Sequence, residues 1–205
     1  MKVAVVGGTG DFGLALAHLL AEAGDHVVVG SRDAERARAK AAEAGAASGA
    51  ANADAVRGVD LVVLATKADA ALPTAAGLAD AIGATPVLSV ASELRFEKAG
   101  VYPTADPRSI AERTQELLRA PVAAGLHSLA AASLAGGRAE GDAFVCGDDA
   151  VAKELALALA GKVVAGRALD AGPLASARAL EGMTAVIVNL NRRYRGHAGV
   201  RIVGL

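Results

Sequence analysis

Three glycines near the start of the chain carry its clearest chemical signal. Gly8, Gly10 and Gly13 form a G-x-G-x-x-G pattern between an apolar run at residues 3–6 and an alanine- and leucine-rich helical pattern. In that setting the pattern is typical of a turn that binds a dinucleotide pyrophosphate at a helix N-terminus. We expect Gly8 to allow the tight turn, Gly10 to let the backbone approach the pyrophosphate, and Gly13 to let helix and strand pack closely.

The end of the second predicted strand, at residues 27–29, favours a phosphorylated dinucleotide. About 20 residues past the glycines, a fold selective for NAD has an acidic residue that binds the adenosine 2′-hydroxyl. This chain has Ser31 and Arg32 there, and Arg36 lies one helical turn further on. Two contacts from cations to a 2′-phosphate would favour NADP by about 3–6 kcal/mol, or roughly 10²–10⁴-fold. We therefore predict NADP as the cofactor.

Other catalytic patterns are missing from the sequence. Short-chain reductases use a tyrosine with a lysine one helical turn later, but Tyr102 and Tyr194 are followed at that spacing by Asp106 and Ala198. There is no Ser-His-Asp set, no HExxH and no paired-cysteine pattern, so we expect no metal. His127 follows a predicted strand at residues 122–126, where a functional and a structural role remain equally open.

Composition narrows the class of protein. A formal net charge of −1 argues against a general nucleic-acid binder, and no apolar segment is long enough for a membrane span. The single cysteine, Cys146, excludes a disulfide within the chain and fits the reducing cytoplasm. Because it lies in an apolar run at residues 143–146, we expect a core thiol rather than a nucleophile.

Strand and helix patterns alternate along the chain, which predicts a Rossmann-type, doubly wound α/β fold with a mostly parallel sheet and a C-terminal helical extension. We expect one NADP-binding domain over residues 1–205, with residues 173–205 as its C-terminal helix and tail. Residues 163–169 are predicted to be a strand. Residues 93–108 have no regular pattern, and the cations Arg95, Lys98 and Arg108 within them could contact an anionic substrate tail or serve as solubilising surface.

Several longer sequence motifs, spread over nearly the whole chain, carry a resemblance to a known family. They are the glycine motif at 7–13, Val-Gly-Ser-Arg at 29–32, Leu-His at 126–127, Val-Cys-Gly-Asp-Asp at 145–149, Leu-Asp-Ala-Gly-Pro-Leu at 169–174 and Asn-Arg-Arg-Tyr at 191–194. With them the chain resembles the NADPH-dependent reductases of coenzyme F420, an 8-hydroxy-5-deazaflavin hydride carrier. The resemblance implies hydride transfer between NADP(H) and coenzyme F420, which needs the two rings stacked in near-attack geometry rather than an acid/base pair. It also implies a homodimer whose C-terminal helices form the subunit contact.

The resemblance further implies three sets of site residues. The 2′-phosphate set is Thr9, Ser31, Arg32 and Arg36, and the backbone of Gly10, Asp11 and Phe12 holds the pyrophosphate. The nicotinamide half is lined by Thr66, Ser92 and Ala131. His127 takes the place of a family histidine near the deazaflavin.

Two segments depart from the family pattern. Lys67 stands where the family usually has a proline after the third strand, and residues 89–93 replace a Ser-Pro-x-Val-Pro turn. Both segments shape the deazaflavin side of the cleft. Two other functions therefore stay open, an NADPH-dependent reductase of a small carbonyl or imine and a non-catalytic NADP sensor.

Overall fold

The computed structural model describes residues 1–205 as alternating strands and helices. The strands are β1 (Lys2–Val6), β2 (His26–Ser31), β3 (Ser48–Ala51), β4 (Leu61–Leu64), β5 (Val87–Ser89), β6 (Leu94–Phe96), β7 (Val101–Pro103), β8 (Val122–Gly125), β9 (Ala143–Gly147) and β10 (Ala168–Asp170). The helices are α1 (Asp11–Glu22), α2 (Ala34–Glu43), α3 (Asn52–Ala55), α4 (Ala68–Ile82), α5 (Ile110–Leu117), α6 (Ala131–Ala135), α7 (Ala150–Val163) and α8 (Ala177–Tyr194). A 3₁₀ turn, Leu174–Ser176, precedes α8. None of these helices is both long and apolar enough to cross a bilayer.

Eight strands form one twisted sheet in the order β10-β9-β8-β5-β4-β1-β2-β3. Neighbouring strands are parallel except for β8 and β9, so the predicted Rossmann-type fold with a mostly parallel sheet is confirmed. β1 lies between β2 and β4, with Val3 opposite both Val27 and Leu61. The chain therefore winds outward from β1 in one direction and then in the other. Ligands of such sheets bind at this switch point, outside the carboxyl ends of the strands.

Both faces of the sheet are covered by helices. Alternate residues of β1 point to opposite sides, so Val3 and Val5 enter one core with α1, α2, α6 and α7, while Ala4 and Val6 enter a second core with α4, α5 and α8. The near-continuous Val and Leu runs of β1 and β4 are typical of strands buried on both faces. Cys146 is fully buried in the second core, and burial raises the pKa of its thiol to about 12. The predicted core thiol is confirmed.

Three segments differ from the sequence-based expectation. The strand predicted over residues 163–169 exists but begins later, because α7 continues to the buried Val163 and β10 spans only Ala168–Asp170. The edge strand β3 was not predicted because its Ser-Gly-Ala-Ala sequence has weak strand propensity. Residues 93–108 contain a hairpin, β6–β7, in which Leu94 pairs with Pro103 and Phe96 with Val101.

The helix α8 is fixed to α5 by a buried carboxylate. Ser109 and Glu112 form a capping box at the start of α5, with Ser109 Oγ accepting from the Glu112 N–H at 3.0 Å. Glu181 of α8 is 1% exposed, and its Oε1 accepts a hydrogen bond from the Ile110 N–H at 2.7 Å. α5 therefore holds α8 in place beside the carboxyl ends of the strands.

The tail that follows α8 is fastened to the fold by Asp142. Its carboxylate accepts hydrogen bonds from Arg167 Nη2 and from the Ile202 N–H, each at 2.8 Å. The bond from the Arg167 side chain is the main reason why the pKa of Asp142 lies well below its usual value. The C-terminal residues therefore lie against the β9–β10 side of the sheet.

Candidate functional site

The turn after β1 is built by glycines that nothing larger can replace. Gly7 has a φ of +81°, so the tight turn requires a glycine there as well, one position before the three-glycine pattern begins. Gly8 is needed for another reason, since a Cβ atom there would lie 2.7 Å from the Val5 carbonyl oxygen. A Cβ at Gly13 would lie 2.6 Å from the Gly7 carbonyl oxygen, which confirms the predicted close packing of helix and strand.

Gly10 differs from its neighbours because the protein itself does not require a glycine there. Its φ and ψ are −85° and 163°, which any residue can adopt, and the nearest atom to an added Cβ is the Gly7 oxygen at 3.5 Å. Gly10 is the N-cap of α1 and offers no side-chain bond to the first turn. The N–H groups of Asp11, Phe12 and Gly13 consequently have no acceptor within the protein. This helix end is open to an anion.

The predicted 2′-phosphate residues lie beside this turn. The Gly8 N–H donates to the Gly30 carbonyl at 3.2 Å, which ties the turn to the end of β2. Ser31 is buried there, whereas the guanidinium groups of Arg32 and Arg36 are exposed and have no carboxylate within 4.0 Å. In contrast, Arg38 pairs with Glu35 at 3.8 Å on the same helix. The two free cations are therefore available to an anionic group.

A cleft of about 480 Å³ opens where the carboxyl ends of β4, β5 and β8 meet the glycine turn. Its volume is that of a small-ligand site. Two-thirds of the lining residues are hydrophobic, and α8 and the β6–β7 hairpin close its outer side. The lining residues are Phe12, Ala65, Thr66, Lys67, Ala68, Val90, Ala91, Ser92, Leu94, Phe96, Leu126, His127, Leu129, Thr184 and Val188.

His127 is buried in the wall of this cleft. The residue is 4% exposed, and neither ring nitrogen makes a hydrogen bond of acceptable geometry within the protein. Burial lowers the pKa of His127 from 6.5 to about 4, while the neighbouring Ala91 backbone opposes that shift. The ring is therefore neutral at physiological pH. The hydroxyl of Thr66, in the same wall, is also buried without a partner. Buried polar atoms without partners are uncommon, and here both lie in a cleft sized for a ligand.

The loop that carries His127 is strained and is fastened by α8. Leu126 has a φ of +66°, an uncommon conformation for a side chain that is not Gly, Asn or Asp. Thr184 Oγ1 donates to the His127 carbonyl at 2.9 Å and lies 2.8 Å from Ser92 Oγ. Because the Thr184 proton is used by the carbonyl, Ser92 is the donor to Thr184. One helical hydroxyl thus joins the ends of β5 and β8.

Burial of a neutral His127 makes a testable contribution to stability. A pKa lowered on folding means that the stabilisation is complete above about pH 6.5 and is lost as the pH falls toward 4. Between pH 7.5 and 4.5 this loss is roughly 2–3 kcal/mol of unfolding free energy. On going from the higher to the lower pH, the unfolding free energy of the wild type should fall by about this amount more than that of His127→Gln, which has no imidazole to protonate. Urea unfolding of both proteins measures it, and equal losses would contradict the buried neutral ring.

The structure brings most of the predicted site residues together, with one exception. Phe12, Thr66, Ser92 and His127 line one cleft, directly beside Thr9 and the glycine turn. Ala131, expected at the nicotinamide half, is the first residue of α6, which packs on α1, and it does not line the cleft.

Lys67, Val90 and Ala91 also line the cleft, in the two segments expected to shape its deazaflavin side, whereas the lining residues from α8 and the β6–β7 hairpin were not predicted. Thr184 and Val188 come from α8, where the sequence signals only an apolar helix face, although a hydroxyl within such a face could have marked Thr184. Leu94 and Phe96 come from a hairpin too short to show a periodic pattern.

The cations of residues 93–108 are mostly engaged at the surface. Arg95 pairs with Glu97 at 2.7 Å and lies 5.9 Å above the Tyr102 ring. Arg108 pairs with Glu116 at 2.9 Å. Of the two interpretations left open for these cations, the structure favours the solubilising surface for both arginines.

Comparison with known proteins gives a consistent set of relatives. Residues 2–93 match the family model described as NADP oxidoreductase, coenzyme F420-dependent. Over the whole chain, the protein is 36% identical to the F420-dependent NADP reductase of Methanothermobacter thermautotrophicus and covers 96% of it. It is 30% identical to the enzyme of that name from Methanocaldococcus jannaschii, with 99% of that protein covered.

Solved structures agree with this pattern. A candidate F420-dependent NADP reductase from Arthrobacter sp. FB24 superposes with a TM-score of 0.82 at 28% identity, over 100% of this chain and 99% of that one. An imine reductase from Streptomyces aurantiacus has a TM-score of 0.64 at 22% identity and covers 95% of this chain and 62% of its own, so it shares the fold alone.

Proposed function

Because the chain belongs to the family of F420-dependent NADP reductases, we propose that it is an oxidoreductase that transfers a hydride between NADP(H) and the deazaflavin coenzyme F420. The observation that carries this proposal is that an anion-binding region and an apolar cleft lie directly next to each other. A helix N-terminus with free N–H groups and two free arginines adjoins a largely apolar cleft, at the switch point of the sheet. That arrangement suits a dinucleotide whose reactive ring enters the cleft.

The residues present fit NADP. A pyrophosphate would accept from the N–H groups of Asp11, Phe12 and Gly13, and Gly10 leaves the space that a side chain would fill. Arg32 and Arg36 would bind the 2′-phosphate together with Ser31 and Thr9, since no carboxylate neutralises either guanidinium. This supports NADP rather than NAD as the dinucleotide.

The cleft also fits a second flat ring. Its apolar walls, formed by residues such as Phe12, Leu94 and Val188, suit a ring system that stacks rather than one held by many hydrogen bonds. The Thr66 hydroxyl and the His127 ring provide polar atoms that the protein leaves without partners. Either could orient an amide or carbonyl of a bound ring by hydrogen bonding.

The side chains have positioning roles in this reaction. The two substrates themselves supply the chemistry, a hydride passing between nicotinamide C4 and deazaflavin C5. Thr184 fixes the Ser92 and His127 loops relative to each other, which holds the walls of the cleft at a constant separation. Since burial keeps His127 neutral, it can donate or accept a hydrogen bond without adding charge.

A spectroscopic assay tests the function. The protein is mixed with NADPH and oxidised deazaflavin, and the visible absorption of the deazaflavin is followed. We expect it to bleach at a rate proportional to protein concentration. Retained absorption with intact NADPH binding would contradict the proposal, and would favour a reductase of a small carbonyl or imine or a non-catalytic NADP sensor.

We further propose that the chain is a cytoplasmic homodimer formed through residues 173–205. Val186, Leu190 and Tyr194 recur every fourth residue on α8 and are 57%, 42% and 75% exposed. They lie on the side of the helix opposite Thr184 and Val188, so a second copy could cover them without closing the cleft. An exposed apolar stripe of this kind supports an interface between subunits. The lone cysteine, which needs no oxidising compartment, supports the location.

Sedimentation equilibrium tests the dimer. The wild type is expected at twice the chain mass, and Leu190→Glu at the mass of one chain with the fold retained. A wild-type protein that sediments as a monomer would rule the dimer out.

A further inference from the structure

The charge of the cleft is set by one side chain. Among the residues that line it there is no aspartate, glutamate or arginine, and Lys67 is the only lysine. The other titratable group is His127, which burial keeps neutral. A cleft whose lining is otherwise uncharged thus contains one positive charge.

Lys67 is free to use that charge on a ligand. It is exposed at the rim and has no carboxylate within 4.0 Å, unlike Arg95 on the neighbouring hairpin, which pairs with Glu97. It is the N-cap residue of α4, but its side chain makes no capping bond. The N–H groups of Ala68 and Asp69 in the first turn of α4 also have no acceptor, and the exposed Asp69 carboxylate of that turn does not line the cleft.

We propose that Lys67 is a specificity-determining residue that binds the negative charge of the reduced hydride carrier. The inference rests on the proposed function. When the C4–H bond of NADPH breaks with both its electrons and a C–H bond forms on the acceptor, the nicotinamide is oxidised and gains one positive charge. The acceptor is reduced and gains one negative charge, and no proton is required. The Lys67 ammonium at the cleft wall stabilises that charge.

This placement gives the site a preference between the two redox forms of the carrier. A cation beside the ring binds the anionic reduced form more tightly than the oxidised form. By linkage, this difference in affinity shifts the redox equilibrium of the bound carrier toward its reduced form. Lys67 is therefore expected to favour reduction of the carrier by NADPH.

Two complexes without turnover allow the two affinities to be measured separately. Reduced deazaflavin is titrated into protein saturated with NADPH, and oxidised deazaflavin into protein saturated with NADP⁺, each followed by equilibrium dialysis. We expect Lys67→Gln to raise the Kd of the reduced form about tenfold and to change the Kd of the oxidised form much less. Lys67→Arg should retain the preference, and added salt should weaken binding of the reduced form in the wild type only.

Lys98→Gln is the matched control, because it removes the same charge from the hairpin at an exposed position outside the cleft. It should leave both Kd values unchanged. Unchanged binding of the reduced form in Lys67→Gln, or an equal loss for both forms, would overturn the inference, since Lys67 would not distinguish the charge that hydride transfer creates. A wild-type protein that binds neither form would instead overturn the proposed function.

Discussion

Replacing Gly10 by valine is expected to weaken NADP binding severely while the protein stays folded. The Gly10 backbone is extended and an added Cβ meets no protein atom closer than 3.5 Å, so the fold accepts a side chain there. The change in helix capping costs about 1 kcal/mol at most. The same side chain would fill the approach to the N–H groups of the first turn of α1. Loss of two charge-assisted bonds corresponds to an increase in Kd on the order of 10²-fold or more.

Gly13→Ala provides the contrast. Its Cβ would lie 2.6 Å from the Gly7 oxygen and 2.8 Å from the Gly8 Cα, both backbone atoms that cannot turn aside. We expect a loss of about 1–3 kcal/mol of stability together with weaker binding. Thermal unfolding and calorimetric NADP titration separate the two effects. If Gly10→Val binds NADP as the wild type does, the anion does not occupy this helix end.

Removing Arg32 and Arg36 should change the choice of dinucleotide. Both guanidinium groups are exposed and free of carboxylates. Each contact to a dianionic 2′-phosphate is worth about 1.5–3 kcal/mol, so the double alanine variant should raise the Kd for NADP by roughly 10²–10⁴-fold. Because NAD lacks the phosphate, its Kd should hardly change. Arg32→Ala alone should already weaken NADP much more than NAD.

Arg38→Ala is the control for these variants. Arg38 is exposed on the same helix and pairs with Glu35, so it tests whether any loss of positive charge on α2 has the same effect. We expect its Kd for NADP to stay within about twofold of the wild type. Equal losses of NADP and NAD affinity in the Arg32 variant would show that Arg32 does not bind the 2′-phosphate.

The glycine turn and the cations beside it could be predicted from the sequence because their determinants are local. The Gly8–Gly13 turn and the 31–36 cluster each depend on a few consecutive residues and on a strand end that apolar runs reveal. Even so, the positive φ of the turn lies at Gly7, which the three-glycine pattern does not include. Consecutive glycines leave that choice open until the backbone path is known.

The contribution of α8 and the β6–β7 hairpin to the cleft could not be predicted, because these residues meet the others only in the folded chain. Thr184 reaches Ser92 and His127 across 92 and 57 residues of sequence, and no periodic pattern records such a contact. The hairpin that supplies Phe96 has strands of three residues, shorter than a window in which alternation can be counted. The low pKa of His127 depends on burial, which a strand end does not determine.

The most direct test of hydride transfer across this cleft is the origin of the transferred hydrogen. The protein is incubated with oxidised deazaflavin and NADPH carrying deuterium at both C4 positions, in ordinary water, and the reduced deazaflavin is analysed by mass spectrometry. We predict one deuterium per molecule of product, because two rings held in a largely apolar cleft exchange the hydride directly. A product that contains only hydrogen from water would contradict the account.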